Sequence, residues 1–321
     1  MIDKRGFEFS FAWMFAIIVG AVIIFLAIFA ATRVVDTERF VSDTEVGKQL
    51  GVILNPIETG IEDGRVTRIS LPGEARVFNS CDTRGAFGRQ GISVAQKSGV
   101  GENAWGEPGV ENAFFNKYIF SESVVEGKSL EVFSKPVNFP FKTANVIYMW
   151  SENERFCFVN PESEVEDEIR GLNIRSINIT STLTSCDEGD IKVCFDSTAP
   201  DCDISVSLEG KFVNKRDQGT TVYYDDTFGK EFLYGAIFTD SETYECQVKR
   251  IMKRNSELSL LYLEKAKVLK PRGCSFVNIE SDLEGFALGA SGLSSSFGLN
   301  DLGVLAKGLG GKNDDLICKL F

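Results

Sequence analysis

The sequence predicts an α+β protein: an N-terminal transmembrane helix with a helical extension, a β-rich middle and a C-terminal helical hairpin. Three observations predict it. Residues 9–32 carry no charged side chain, the hydrophobic period shifts toward two from about residue 65, and a capped pattern of helical period begins near residue 239.

The apolar run comes first. It contains Phe15-Ala-Ile-Ile-Val-Gly-Ala-Val-Ile-Ile-Phe-Leu-Ala-Ile-Phe29, with Trp13 near one end and Glu8 and Arg33 bracketing it. At about 1.5 Å per residue the run reaches about 36 Å, more than the roughly 30 Å hydrocarbon slab of a bilayer. A buried core helix is usually shorter and carries a polar face. A removable secretory signal has a shorter apolar stretch before a small-x-small site, and Ala27-Ile-Phe-Ala30 matches that poorly. The run is therefore expected to be a retained anchor. Beyond it Val34, Val41, Val46, Leu50 and Ile53 recur at loosely helical spacing until Asn55-Pro56, so the helix is expected to continue as a stalk to about Leu54.

Basic residues do not orient the span, because Lys4 and Arg5 before it face Arg33, Arg39 and Lys48 after it. The cysteines do. Cys81, Cys157, Cys186, Cys194, Cys202, Cys246, Cys274 and Cys318 all lie beyond the span. An even number without C-x-x-C spacing, in a chain without histidine, reads as disulfides rather than zinc ligands. Disulfides need an oxidising compartment, which puts the N-terminus in the cytoplasm and the soluble part outside it; the alternative is eight buried thiols in a reducing cytosol. Asn178-Ile-Thr180 is a glycosylation acceptor motif on that same side.

Asp3 and Glu8 balance Lys4 and Arg5, so the whole net charge of −12 resides beyond the span. That balance argues against a nucleic-acid partner, which needs a basic footprint. The one basic cluster, Lys249-Arg-Ile-Met-Lys253-Arg254, reads as an ordinary solvated helix face.

In the middle, residues 65–71 and 75–78 flank Pro72-Gly73, a type II turn pair that suggests a hairpin. The Gly-rich stretch 97–112 reads as a long surface loop. Residues 146–150 and 155–159, separated by the polar Ser151-Glu-Asn-Glu154, suggest a second hairpin. An acidic stretch at 161–170 suits a short helix, and 174–180, 192–195, 204–208 and 220–224 are short β-branched or aromatic segments bounded by turn residues.

Toward the C-terminus, Thr239-Asp-Ser-Glu242 fits a capping box, followed by Tyr244, Val248, Ile251, Leu258, Leu261 and Tyr262 at helical spacing and ended by Pro271-Arg-Gly273. A second helical pattern runs over 281–309 despite its glycines. The expected boundaries are a cytoplasmic N-terminus at 1–8, the span at 9–32, the stalk at 33–56, a β-rich extracytoplasmic domain at 57–238, and a helical hairpin at 239–321 packed on it.

The helices bear on the disulfides. A helix from Cys246 to Leu269 rises about 34 Å, and about five extended residues recover only about 18 Å, so Cys246 cannot reach Cys274. An antiparallel second helix would return the chain and place Cys318 beside Cys246, the pair expected here. Cys186, Cys194 and Cys202 are close enough in sequence to include a local bridge; the rest of the connectivity is open.

No catalytic, cofactor or metal motif emerges, and none is expected. Without histidine there is no Ser-His-Asp or Cys-His arrangement. Gly289-Ala-Ser-Gly-Leu293 has its second glycine one place early for a nucleophile elbow, and Gly311-Lys312 lacks the rest of a phosphate loop. The acidic stretches 187–190 and 196–203 lack the alternating ligand spacing of a calcium loop.

Lys4-Arg5-Gly6 followed by Phe7 and an apolar helix resembles the class III signal of archaeal pilins and archaellins, which implies processing between Gly6 and Phe7. The helix with its extension resembles a pilin stalk, although Phe11 stands where common bacterial pilins carry a glutamate. The opening residues 7–20 also resemble uncharacterised membrane-anchored proteins of small-genome archaea, which implies location and lineage but no activity. Two function classes follow. The first is a structural or partner-binding role at the cell surface, with the lipid bilayer and an unidentified protein or surface as partners. The second is an anchored extracytoplasmic hydrolase using carboxylates. A carboxylate cluster in a deep pocket would favour the hydrolase; an exposed apolar patch or open strand edge would favour binding.

Overall fold

The computed structural model describes residues 11–58, 66–97, 105–197, 199–276 and 279–321. It begins with α1 (Phe11–Glu58), one helix of 48 residues and about 72 Å. Its first thirty or so residues are exposed all round, save for half-buried Gly20. From Asp43 a single face is buried, carrying Asp43, Val46, Gly47, Leu50, Gly51 and Leu54 at the three- and four-residue spacing that stacks side chains along a helix. The expected stalk is present as an unbroken continuation of the apolar run.

The first sheet follows. Its strands are β1 (Val66–Asp82), β2 (Arg89–Gln96), β3 (Asn112–Phe114), β4 (Ile119–Phe120), β5 (Val124–Asn138) and β6 (Lys142–Ser151), in the order β3-β2-β1-β5-β6-β4. All neighbours are antiparallel except β4 and β6. The expected hairpin at Pro72-Gly73 is not there. Both halves of β1 pair with β5, and Pro72-Gly73 lies in a bulge between Ser70 and Ala75, opposite the short step from Gly127 to Ser129. A Pro-Gly pair interrupts a ladder equally well in either setting.

The second sheet contains β7 (Phe156–Val159), β8 (Ile177–Thr180), β9 (Ile191–Phe195), β10 (Ile204–Ser207), β11 (Phe212–Lys215) and β12 (Thr220–Tyr223), with α2 (Ser163–Leu172) crossing between β7 and β8. The order is β12-β11-β10-β9-β7-β8, parallel from β10 to β8 and antiparallel from β10 to β12. The second expected hairpin is therefore also corrected. β6 and β7 belong to different sheets, and Ser151 to Glu154 form the crossing between them, held by Glu154 Oε2 accepting from Ser151 N at 3.0 Å.

Then come α3 (Glu231–Phe238), α4 (Ser241–Leu269), α5 (Glu280–Ser291) and α6 (Leu299–Asp314). Every residue of α3 is buried; it carries Phe238 into an aromatic cluster, stacked on Trp150 at 4.8 Å and edge-on to Phe156 at 5.0 Å. The N-cap of α4 is Asp240, whose carboxylate accepts from Thr243 N at 2.8 Å, one place later than the expected Thr239 box. The carbonyl of Thr239 instead accepts from Lys215. Gly273, at φ 92°, ends the turn after α4 in the left-handed region that glycine alone adopts freely.

The pattern over 281–309 is two helices. The chain turns over 292–298, where Ser296 is buried, donates from N and Oγ to Glu245, and accepts from Tyr223 N. α5 runs antiparallel to α4, with Ser256 Oγ donating to Ala287 O, and α6 runs back, with Lys312 paired to Asp282.

Among the described residues two large apolar cores and one small cluster result, and β6 shows how one run serves both large cores. Val146, Tyr148 and Trp150 face the core shared by both sheets, α2, α3 and α4, whereas Ile147 and Met149 face the core under α1. A continuous apolar run is what a strand covered on both faces requires.

Candidate functional site

Two features are candidates for function: the bare part of α1 and a cleft where the two sheets meet. Among the described residues one helix, α1, is long and apolar enough to cross a bilayer, and its apolar window is nowhere buried against the protein. Phe15, Ile18, Phe25 and Ile28 all lie open along it. It is a candidate membrane anchor. Its far end is fixed to the domain by packing and by polar ties: Thr44 Oγ1 accepts from Val110 N at 2.9 Å, and Asn55 Oδ1 from Lys117 Nζ at 2.6 Å. Gly47 lets the helix lie close to β3, since a Cβ there would stand 3.1 Å from Asn112 Nδ2.

The cleft, about 240 Å³, is walled by Phe156, Ile191, Ile204, Ile237 and Phe238 and edged by Glu122, Glu154, Asp203 and Asp217. Lys215, at the end of β11, reaches into it almost wholly buried; it donates to Ile237 O at 3.1 Å and to Thr239 O, and lies 3.9 Å from Glu122 Oε1. Burial pushes Glu122 up to about 7, raises Glu154 and lowers Lys215. The carbonyls it holds are those leaving the C-terminus of α3, where a cation is favoured by the helix dipole. Lys215 is thus committed to the fold, while Glu122 is poised to exchange a proton near neutrality. Alternation along β11 puts Lys215 on the inward side with Val213, the one trace of this role in the sequence.

All eight cysteines are paired, as Cys81–Cys246, Cys157–Cys186, Cys194–Cys202 and Cys274–Cys318. The last corrects the expected pairing of Cys246 with Cys318. Because the chain turns at 292–298, α6 carries Cys318 back to the far end of α4, where Tyr262 and Phe321 also meet at 5.3 Å. Cys246 joins the end of β1 to the start of α4 instead. Four disulfides suit an oxidising compartment. Asn178 is exposed on β8, an open edge of the second sheet. Gly6 and Phe7 lie outside the described residues.

The basic cluster is not a solvated face. Arg250 is fully buried and donates to the carbonyls of Phe87 at 3.2 Å, Phe115 at 3.3 Å and Lys117 at 2.9 Å, with its guanidinium over the Tyr118 ring. Burial brings it down to about 10. Lys253 donates to Thr83 O and Gly85 O, and Arg254 to Thr143 O. These side chains tie loops of the first sheet to α4 through carbonyls rather than carboxylates.

The acidic stretches are also committed. Asp190 pairs with Arg155 at 2.8 Å, Asp196 Oδ1 accepts from Leu208 N, and Asp203 Oδ2 from Lys192 N. Among the described residues no group of acidic or cysteine side chains is arranged to hold a metal. No protein-family model, curated protein or solved structure matches the chain.

Proposed function

We propose that this chain is a membrane-anchored extracytoplasmic protein with a structural or partner-binding role at the cell surface, its N-terminus in the cytoplasm and its domain outside. The observation that carries the reading is α1 itself: one unbroken helix, bare over its apolar part and docked on the first sheet at its other end. Such a helix sets the domain at a fixed distance from a bilayer. The four disulfides support the external placement, and the open edge of β8 offers an unidentified protein or surface partner a strand to pair with. A pilin-like subunit, processed to begin at Phe7, is a narrower form of the same reading.

The test is protease treatment of intact cells making the full chain. Loss of the domain without permeabilisation, leaving a membrane-embedded fragment, is expected; cleavage only after permeabilisation would reverse the orientation. N-terminal sequencing of the native protein separates the narrower form, which requires Phe7 as first residue. The second reading, an anchored hydrolase, rests on the cleft, where Glu122 and Glu154 are both raised by burial. Hydrolysis of model ester or glycoside substrates that is lost in Glu122→Gln would favour it.

A further inference from the structure

The cleft at the seam of the two sheets is apolar within and acidic at its edge. Three of its wall residues open strands of the second sheet, Phe156 in β7, Ile191 in β9 and Ile204 in β10, and Ile237 and Phe238 close it from the end of α3. Ile191 is half-buried and the other four are buried. At about 240 Å³ the space is smaller than the roughly 300–1,000 Å³ that holds a drug-sized ligand, and it suits a single side chain.

The depth of the cleft already holds a cation. Lys215, its side chain 2 % exposed, donates to the carbonyls of Ile237 and Thr239. A second cation there would meet like charge and lose its water, so the group that enters is uncharged and apolar. The edge asks for the opposite. Glu122, Glu154, Asp203 and Asp217 stand on it, and Asp240 is close enough to act on both Glu122 and Lys215. Even with Glu122 protonated, Glu154, Asp203, Asp217 and Asp240 face one lysine, and Asp240 Oδ2, although buried, accepts no hydrogen bond among the described residues. The neighbouring cations are directed elsewhere. Arg155 pairs with Asp187 and Asp190, Arg216 donates to Ala199 O, and Lys192 lies on the face of β9 that carries Cys194, opposite to Ile191 and Val193.

We propose that the cleft docks a basic segment of a partner protein, an aliphatic side chain entering between the apolar walls while a lysine or arginine on either side of it meets the carboxylates of the edge. The two halves of this chemistry are both needed. A lysine inserted by itself would put its ammonium beside Lys215, and an apolar segment without cations would leave the acidic edge desolvated and unanswered. The assignment rests on the partner-binding reading and gives that partner its chemistry.

The test holds the full chain in phosphatidylcholine nanodiscs, whose neutral surface offers basic peptides no anionic lipid. It is titrated with the end-capped peptides Lys-Leu-Lys, Lys-Ser-Lys and Glu-Leu-Glu. Lys-Leu-Lys is expected to bind about tenfold more tightly than Lys-Ser-Lys, which lacks the leucine to bury, and than Glu-Leu-Glu, which the edge repels. Glu122→Gln with Asp217→Asn should weaken Lys-Leu-Lys about tenfold and keep the preference for leucine over serine. Glu257→Gln with Glu284→Gln removes the same charge about 25 Å further along α4 and should leave the affinity unchanged. Equal binding of Lys-Leu-Lys and either other peptide, no binding of any, or the same loss in both double variants overturns the site. Those results leave the anchor and the external placement of the domain standing, since protease treatment of cells tests these separately. Recovery of cleaved peptide would make the cleft hydrolytic and overturn its assignment to docking. Butylammonium bound as tightly as Lys-Leu-Lys would make it a site for a free amine and overturn the protein partner.

Discussion

Each sheet has an inner face on the shared aromatic core and an outer face that must be kept from water, and the two outer faces are covered with different material. The first sheet uses α1: Val46, Leu50 and Leu54 close over Val77, Ile92, Val94, Leu130, Val132, Ile147 and Met149. The second uses sulfur. Cys157, Val159, Cys194 and Cys202 form a small cluster with Leu183, Cys186 and Ala199, so two disulfides and a loop stand where a helix would otherwise lie. A covalent cover belongs to the domain alone. A helical cover that continues into the apolar run makes the stability of the first sheet depend on the same element that would hold the chain in a membrane.

The largest effect is expected from breaking the helical cover. Leu50→Asp places a carboxylate at a site 1 % exposed and leaves it unpaired. A loss of about 4 kcal/mol is expected, with hydrogen exchange rising in β1 and β5 before it rises in β7 and β9.

Opening the covalent cover should do the reverse. Replacing Cys157 and Cys186 by alanine releases a crosslink spanning 29 residues, worth about 3–4 kcal/mol by loop entropy. Exchange should rise first in β7 and β8 while the strands under α1 keep their protection. Arg250→Met leaves three carbonyls without their donor, with a cost of about 2–3 kcal/mol in a denaturant titration. It should loosen the first sheet from α4 without altering its outer face. Gly47→Ala is milder. Its Cβ would press on Asn112 at 3.1 Å, offsetting the helix preference of alanine and leaving a net change within about 1 kcal/mol.

The smallest effect concerns the seam between the sheets. Burial raises Glu122 from 4.5 to about 7, so the fold binds this proton more tightly than the unfolded chain does. The stability it contributes is complete below the unfolded value and is lost as pH rises through the folded one. Comparing unfolding at about pH 5 and about pH 7.5, Glu122→Gln should remove a dependence of about 1 kcal/mol, a figure discounted because the side chain keeps 38 % exposure.

How much of this was legible in the sequence depends on how local its cause is. α1 was readable to its end because period and composition act within a turn or two, and α2 and most of the second sheet were readable from short β-branched runs between turn residues. Pro72-Gly73 misled because a bulge and a hairpin turn demand the same residues. α3 went unseen because Glu231-Phe-Leu-Tyr-Gly-Ala-Ile-Phe238, buried on every side, has no polar face to show a helical period. The turn at 292–298 depends on Ser296 meeting Glu245 and Tyr223, partners distant in sequence. With that turn missed, the pairing of Cys318 was missed too. The cleft is assembled from residues far apart in the chain. Lys215 left a trace in strand alternation.

The dual role of α1 is tested most directly by two shortened chains, one beginning at residue 33 and one at residue 59. The first keeps the stalk and loses the apolar run; it should be soluble and monomeric, form all four disulfides and protect β1 and β5 from exchange as the full chain does. The second lacks the cover of the first sheet and should aggregate or lose that protection while β7 and β9 keep theirs. Equal stability and equal protection of the first sheet in both chains would contradict the claim that the anchor helix is part of the fold.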